Sequence, residues 1–236
     1  MMATVEEPGV LEGRAARELL KWARANRRDF PWRLETDPYR LVITELMLVR
    51  TRAEQVGPVW TAFFDRYPSL VSLAQADEEE IRATLKPLGL AWRASRVIEF
   101  AHAAVETSNW PDELESLPGA GPYVRAAVRV GAAGRGELPV DVTIARVIGR
   151  YFGIHARGEA RRSASVLDEA RLMGSRSRRF FHAWLDLAAL VCRPTQPACD
   201  ACPLNSACRS VGHLSAPSQA GQPQSIRNWP SGARTR

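Results

Sequence analysis

The sequence predicts an all-α fold, and three observations carry the prediction. Apolar residues recur at helical spacing through most of the chain. The periodic runs are roughly 10 to 17 residues long, the length of globular helices. The β-branched alternation of a half-buried sheet is scarce. With 236 residues, 45% hydrophobic and 25% charged, the chain suits one or two globular domains. That composition excludes a disordered, collagen-like or disulfide-stapled chain.

The elements follow in order. Residues 11–28 place Leu11, Ala15, Leu19 and Trp22 on one helical face, with Arg and Glu between them. Phe30, Pro31, Trp32 and Arg33 break that helix. Asp37 and Pro38 then open a second, with proline early in the first turn. Further helices are expected at 53–66, 77–85, 91–107, 121–133, 141–152, 163–173 and 178–191. Residues 211–236 are rich in Gly, Pro, Ser and Gln and hold three Arg and no acid. They read as a disordered basic tail.

The apolar runs are interrupted: 41–49 contains Thr44 and Glu45, and 180–191 contains His182 and Asp186. Neither approaches the roughly 20 apolar residues of a membrane span. The acidic N-terminus lacks a basic-then-apolar leader. No membrane partner and a cytoplasmic, nucleoid-associated location are therefore expected.

Net charge is +6, from 30 Arg and only two Lys, Lys21 and Lys86, against 26 acids. This is too modest to identify a polyanion-binding protein by itself. Residues 141–180 hold nine basic and four acidic groups, whereas 61–140 hold eight and eleven. Folding, not a basic run, must build any nucleic-acid surface.

The four cysteines, Cys192, Cys199, Cys202 and Cys208, have the spacing Cys-x6-Cys-x2-Cys-x5-Cys. Clustered cysteines in a cytoplasmic chain read as metal ligands before disulfides. Only one Cys-x2-Cys pair is present, whereas structural zinc sites usually bring two. A compact loop wrapped once around its ligand suits a [4Fe–4S] cluster. A zinc loop or free thiols remain the alternatives on spacing alone.

Residues 117–121 read Leu-Pro-Gly-Ala-Gly, followed by Pro122 at a helix start. Glycines there permit close backbone approach, and the N–H groups of the next helix favour an anion such as a phosphodiester. An ordinary tight corner is the alternative. Glu45 has Leu41, Val42, Leu48 and Val49 as its helical neighbours. Such a carboxyl is partly desolvated and its pKa raised, as a general acid near neutrality requires. Asp141 precedes a helical run, where N-capping is the simplest role. A carboxylate fixed there could also stabilise a cationic transition state.

Together these landmarks resemble the helix-hairpin-helix DNA glycosylases related to endonuclease III and MutY. They are Phe30 to Arg33 with Thr44 to Leu48, the 117–121 hairpin, the Asp141 helix start and the cysteine loop. The resemblance covers about 11–210 and implies an endonuclease III-like fold. A six-helix barrel would span 34–135. The segment 1–33 would pack with 136–210 to form a [4Fe–4S] domain ligated by all four cysteines. A monomer would bind double-stranded DNA, with Pro118, Gly119, Ala120, Gly121, Arg50 and Leu90 as contacts. A mismatched or damaged base would flip into a pocket between Glu45 and Asp141.

The resemblance also implies roles. Asp141 would stabilise an oxocarbenium-like sugar and guide water, and Glu45 would protonate the leaving base. Lyase-competent relatives carry Lys where this chain has Tyr123, so hydrolysis without a Schiff base is expected. The basic Arg50-Thr51 after the Glu45 helix, and the absence of a further C-terminal module, favour excision of T or U opposite G. Adenine excision opposite G or 8-oxoguanine is the alternative. A non-catalytic iron–sulfur DNA binder is the alternative from another class, disfavoured by the joint presence of Glu45, Tyr123 and Asp141. One departure is Thr143, where both groups commonly place Asn, and it puts the support of Asp141 in question.

Overall fold

The structure, a computed structural model, describes residues 13–89, 91–155 and 160–212. Leu90 and the expected tail from residue 213 onward lie outside the described residues. Among the described residues the chain forms ten α-helices: α1 Gly13–Asn26, α2 Pro38–Leu48, α3 Ala53–Arg66, α4 Leu70–Ala74, α5 Glu78–Leu85, α6 Ala91–Glu106, α7 Pro122–Ala133, α8 Val142–Phe152, α9 Ala164–Leu172 and α10 Arg178–Leu190. None is long and apolar enough to cross a membrane.

Short polar side chains start several of these helices by accepting bonds from backbone N–H groups that have no intrahelical partner. Asp37 accepts from Tyr39 N ahead of α2, and Asp77 from Glu79 N and Glu80 N ahead of α5. Asp141 does the same for α8 and Ser177 for α10. Gly134 in the left-handed region closes α7, and Gly153 closes α8.

Two features depart from the sequence expectation. Helix α4 was not anticipated, because five residues are too short to show a period. Its signal is local, a reciprocal capping box between Ser69 and Ser72. The all-α expectation also misses a two-residue antiparallel ribbon, β1 Arg135–Gly136 with β2 Arg176–Ser177. Strands that short carry no alternation to read.

The helices enclose two hydrophobic cores. The first gathers Val42, Ile43 and Met47 of α2, Phe63 and Phe64 of α3, Ile81 and Leu85 of α5, and Val97 and Phe100 of α6. The second gathers Leu19 of α1, Ile144 and Ile148 of α8, Val166 of α9, Phe180, Trp184 and Leu187 of α10, and Leu204 beyond it. Each such large side chain contributes roughly 1.5–3 kcal/mol by leaving water. N-terminal α1 thus shares a core with the last third of the described chain.

Helix α7 forms the seam. Val124 and Val128 face the first core, while Ala127 and Val130 face the second. Tyr123 packs against both. Two polar clamps cross the same boundary. Buried Asp186 of α10 accepts from Arg33 Nη2 at 2.5 Å and from Arg28 Nε at 2.9 Å. Arg178 Nη1 donates to Glu35 O at 2.7 Å and to Gly131 O at 3.0 Å.

Candidate active site

Three side chains from three helices interact at the seam: Glu45 from the middle of α2, Tyr123 from the first turn of α7, and Asp141 at the N-cap of α8. Tyr123 hydrogen-bonds Glu45, and Glu45 feels the charge of Asp141. Burial pushes the Glu45 carboxyl up to about 7, an effect opposed by the Tyr123 hydrogen bond and reinforced by Asp141. The raised pKa anticipated from its apolar neighbours is thus found. Burial and the two carboxylates also hold the Tyr123 phenol well above its ordinary value, so it stays a neutral donor.

Asp141 is held differently. Its Oδ1 accepts from Thr143 N at 2.9 Å and from Ile144 N at 2.7 Å. The Thr143 hydroxyl lies 2.9 Å from Oδ1 and 3.0 Å from Oδ2. Thr143 therefore supplies two donors to this carboxylate, so replacing Asn does not leave it unsupported. The pair has the asymmetry acid–base chemistry needs: Glu45 resists ionisation, and Asp141 sits among donors.

The hairpin lies against the same helix that carries Glu45. Ala120 N donates to Leu117 O at 3.2 Å, closing a tight turn with Pro118 and Gly119 in its middle. Gly119 has φ +80°, and a β-carbon there would stand 3.1 Å from Leu46 Cδ2. A β-carbon on Gly121 would meet nothing within 4 Å, so this face is open. Helix α7 lacks a side-chain cap, and its first-turn amides keep their anion-binding capacity. Ala120 is buried, and its N–H is spent on the turn, so its methyl belongs to the core. Arg50 is exposed just past α2, with φ +55°.

The four cysteines line one small cavity of about 30 Å³, together with Arg150, Val191, Pro197 and Val211. All four are unpaired and partly buried. No three His, Cys, Asp or Glu side chains among the described residues converge on a single-metal site. Burial raises the Cys202 thiol to about 11 and raises Cys208 as well, so positive charge in the cavity is needed to hold these groups as thiolates.

Two arginines of α8 clamp this loop, a contact that the sequence reading did not anticipate. Arg146 donates through Nε to Cys192 O and through Nη2 to Ala188 O, both at 3.0 Å. Arg150 Nη1 reaches Cys192 Sγ at 3.5 Å and Arg193 O at 2.7 Å, and its Nη2 reaches Pro194 O at 2.8 Å. The helix that begins at Asp141 thus holds the cysteine loop farther along. Only their i, i+4 spacing on an amphipathic helix hinted that both arginines share a face.

Comparison with known proteins identifies the family. Residues 43–169 match the family described as HhH-GPD superfamily base excision DNA repair protein. The chain is 32% identical over 204 residues to a thymine-DNA glycosylase of Aeropyrum pernix, covering 81% of this chain and 92% of that relative. It is also 32% identical over 203 residues to an adenine DNA glycosylase of Mycolicibacterium smegmatis, covering 81% and 68%. A solved thermostable thymine-DNA glycosylase superposes with TM-score 0.73 at 31% identity, covering 83% of this chain and 94% of that one. A solved endonuclease III–DNA complex shares the fold, with TM-score 0.64 at 19% identity over 81% of this chain and 92% of that one. The chain belongs to the HhH-GPD superfamily of base excision DNA repair proteins.

Proposed function

We propose that the protein is a monofunctional DNA glycosylase that hydrolyses the N-glycosidic bond of thymine or uracil opposite guanine. The observation that carries this reading is the meeting of Glu45, Tyr123 and Asp141, with Glu45 held near neutrality. The kinship with thymine/uracil-DNA glycosylases from Methanothermobacter thermautotrophicus and Pyrobaculum aerophilum, at 32% and 34% identity, supports the choice of base.

The hairpin and the α7 amides grip the DNA backbone, Arg50 adds a contact beyond α2, and the target nucleotide swings out toward the seam. Protonated Glu45 gives its proton to the departing base as the C1′–N bond breaks and the electron pair leaves with the base. The Asp141 carboxylate stabilises the oxocarbenium-like sugar. Water then adds to C1′, and its surplus proton returns to Glu45. Tyr123 holds Glu45 in place. Neither of the two lysines stands on the hairpin helix: Lys21 lies on α1 and Lys86 after α5, and both are exposed.

Cys192, Cys199, Cys202 and Cys208 would hold a [4Fe–4S] cluster. When bound, it supplies a cross-link between the four ligands and positive iron charge that opposes the burial holding Cys202 and Cys208 protonated.

The test is a panel of duplexes with T:G, U:G, A:G and A:8-oxoguanine pairs, resolved on denaturing gels with and without alkali. Scission of T:G and U:G strands only after alkali is expected. Scission before alkali overturns the monofunctional assignment, and release of adenine alone reverses the substrate. Binding without release from any duplex replaces the enzyme with a binding protein.

A further inference from the structure

Arg178, the first residue of α10, joins that helix to two other stretches of chain. Its backbone N–H donates to Gly134 O at 2.8 Å, at the close of α7. Its Nη1 donates to Gly131 O at 3.0 Å, in the last turn of α7, and to Glu35 O at 2.7 Å. The last carbonyls of a helix have no intrahelical donor, and a cation suits that end of the helix dipole. Glu35 sits where the chain enters α2. Its carboxylate accepts from Thr36 N at 2.8 Å and from Asp37 N at 2.9 Å, and Asp37 then caps α2. Both acceptors of the guanidinium are backbone carbonyls, so its bonds hold chain paths and not side chains. At Gly131 itself α2 and α7 are in close contact: a β-carbon there would stand 2.7 Å from Leu41 Cδ1.

We propose that Arg178 is a positioning residue for base release: from α10 it fixes the entry of α2 and the end of α7, and with them the placement of Glu45 and Tyr123 relative to Asp141. This rests on the reading of Glu45 as the acid and Asp141 as the carboxylate that faces the sugar. Glu45 rides on α2 and Tyr123 on α7, whereas Asp141 caps α8, which shares the second core with α10. The bonds of Arg178 are the same before and during reaction, so they lend the transition state no energy of their own. Their effect is geometric, because a misplacement of about 1 Å can cost about 10²-fold in rate. The hairpin stands at the other end of α7 from Gly131, so the grip on DNA does not depend on this tie.

Arg178→Met keeps the aliphatic stem and the backbone bond and removes both side-chain bonds. The Asp186 clamp still crosses the seam, so the displacement is partial and single-turnover base release from a T:G duplex should slow about 10-fold. The Kd for a non-cleavable T:G duplex should stay at the wild-type value. Arg178→Lys, which restores a cationic donor for the carbonyls, should recover part of the rate. A second readout follows Glu45 without catalysis. The part of the pH 5 to pH 8 change in urea midpoint that Glu45→Gln removes should be smaller in the Arg178→Met background, because a looser seam lets water reach the carboxyl. The proposal is overturned if Arg178→Met matches wild type in the rate or in that pH-linked change, or if Arg178→Lys is as slow as Arg178→Met. A rate that falls only in step with affinity or with the folded fraction also overturns it. Asp141→Asn, run in parallel, separates the two levels. If it retains turnover, the reading of the site fails, and the pH-linked change alone then decides whether Arg178 places Glu45.

Discussion

Tyr123 hydrogen-bonds Glu45 across the seam between the two cores, joining the first turn of α7 to the middle of α2. The contact fixes a carboxyl that burial has already made reluctant to ionise. A proton donor is thereby placed where the two halves of the fold meet.

Base release should fall as pH rises through about 7, because Glu45 is then ionised. Glu45→Gln should lower single-turnover rates by about 10²–10⁴-fold and remove that pH limb. Stability should carry the same signature. The folded-state pKa lies above the ordinary 4.5, so the stabilisation is complete below that value and lost as pH rises to about 7. The loss is about 3 kcal/mol, and Glu45→Gln should abolish it. Urea unfolding of both proteins at pH 5 and pH 8 measures the difference.

Gly119 and Gly121 should separate stability from binding. Gly119→Ala forces a side chain into φ +80° and presses its β-carbon to 3.1 Å from Leu46 Cδ2, beside Glu45. A loss of about 1–2 kcal/mol is expected from the backbone alone. Gly121→Ala has ordinary dihedrals and open space, so stability should change by no more than about 0.5 kcal/mol. Its methyl instead stands on the face offered to DNA, so affinity for a non-cleavable duplex should drop. Thermal unfolding beside a binding titration resolves the two effects.

How much of this was legible in the sequence depended on the range of the interaction. Helices α1, α2, α3 and α5 to α10 follow from apolar spacing and from local punctuation such as Asp37-Pro38 and Gly121-Pro122. The environment of Glu45 could be read from its own helical neighbours. Contacts between distant residues could not. Arg33 and Asp186 are 153 positions apart, and Arg150 and Cys192 are 42 apart. No local pattern marks such a pair, because its geometry is set by how α1, α8 and α10 pack. Thr143 is intermediate: its place beside Asp141 was visible, but not that its hydroxyl reaches both oxygens.

Asp186 should be a large stability determinant. It is 1% exposed and faces Arg33, itself 5% exposed, so removing the carboxylate leaves a buried guanidinium without its counter-charge. Asp186→Ala should cost about 3–5 kcal/mol. Asp29→Ala is the control, because the Arg27–Asp29 pair is exposed and 3.5 Å apart. That change should fall within about 0.5 kcal/mol of wild type. Chemical denaturation of the three proteins at one pH tests the contrast.

Arg150 should govern whether the cysteine loop keeps its metal. Its guanidinium ties Arg193 O and Pro194 O to the end of α8 and points one N–H at Cys192 Sγ. Arg150→Ala removes all three bonds and leaves Cys192 on a loop without its anchor. Partners around metal ligands typically contribute 10- to 100-fold in affinity. The variant should therefore purify anaerobically with less iron and labile sulfide per chain and bleach faster under chelator. Arg150→Lys keeps the charge but not the fork, so it should fall between the two. Wild-type protein that contains zinc and no sulfide overturns the cluster assignment. Wild-type iron content and chelator resistance in Arg150→Ala would instead leave the cluster in place and show that Arg146, through Cys192 O and Ala188 O, anchors the loop without help.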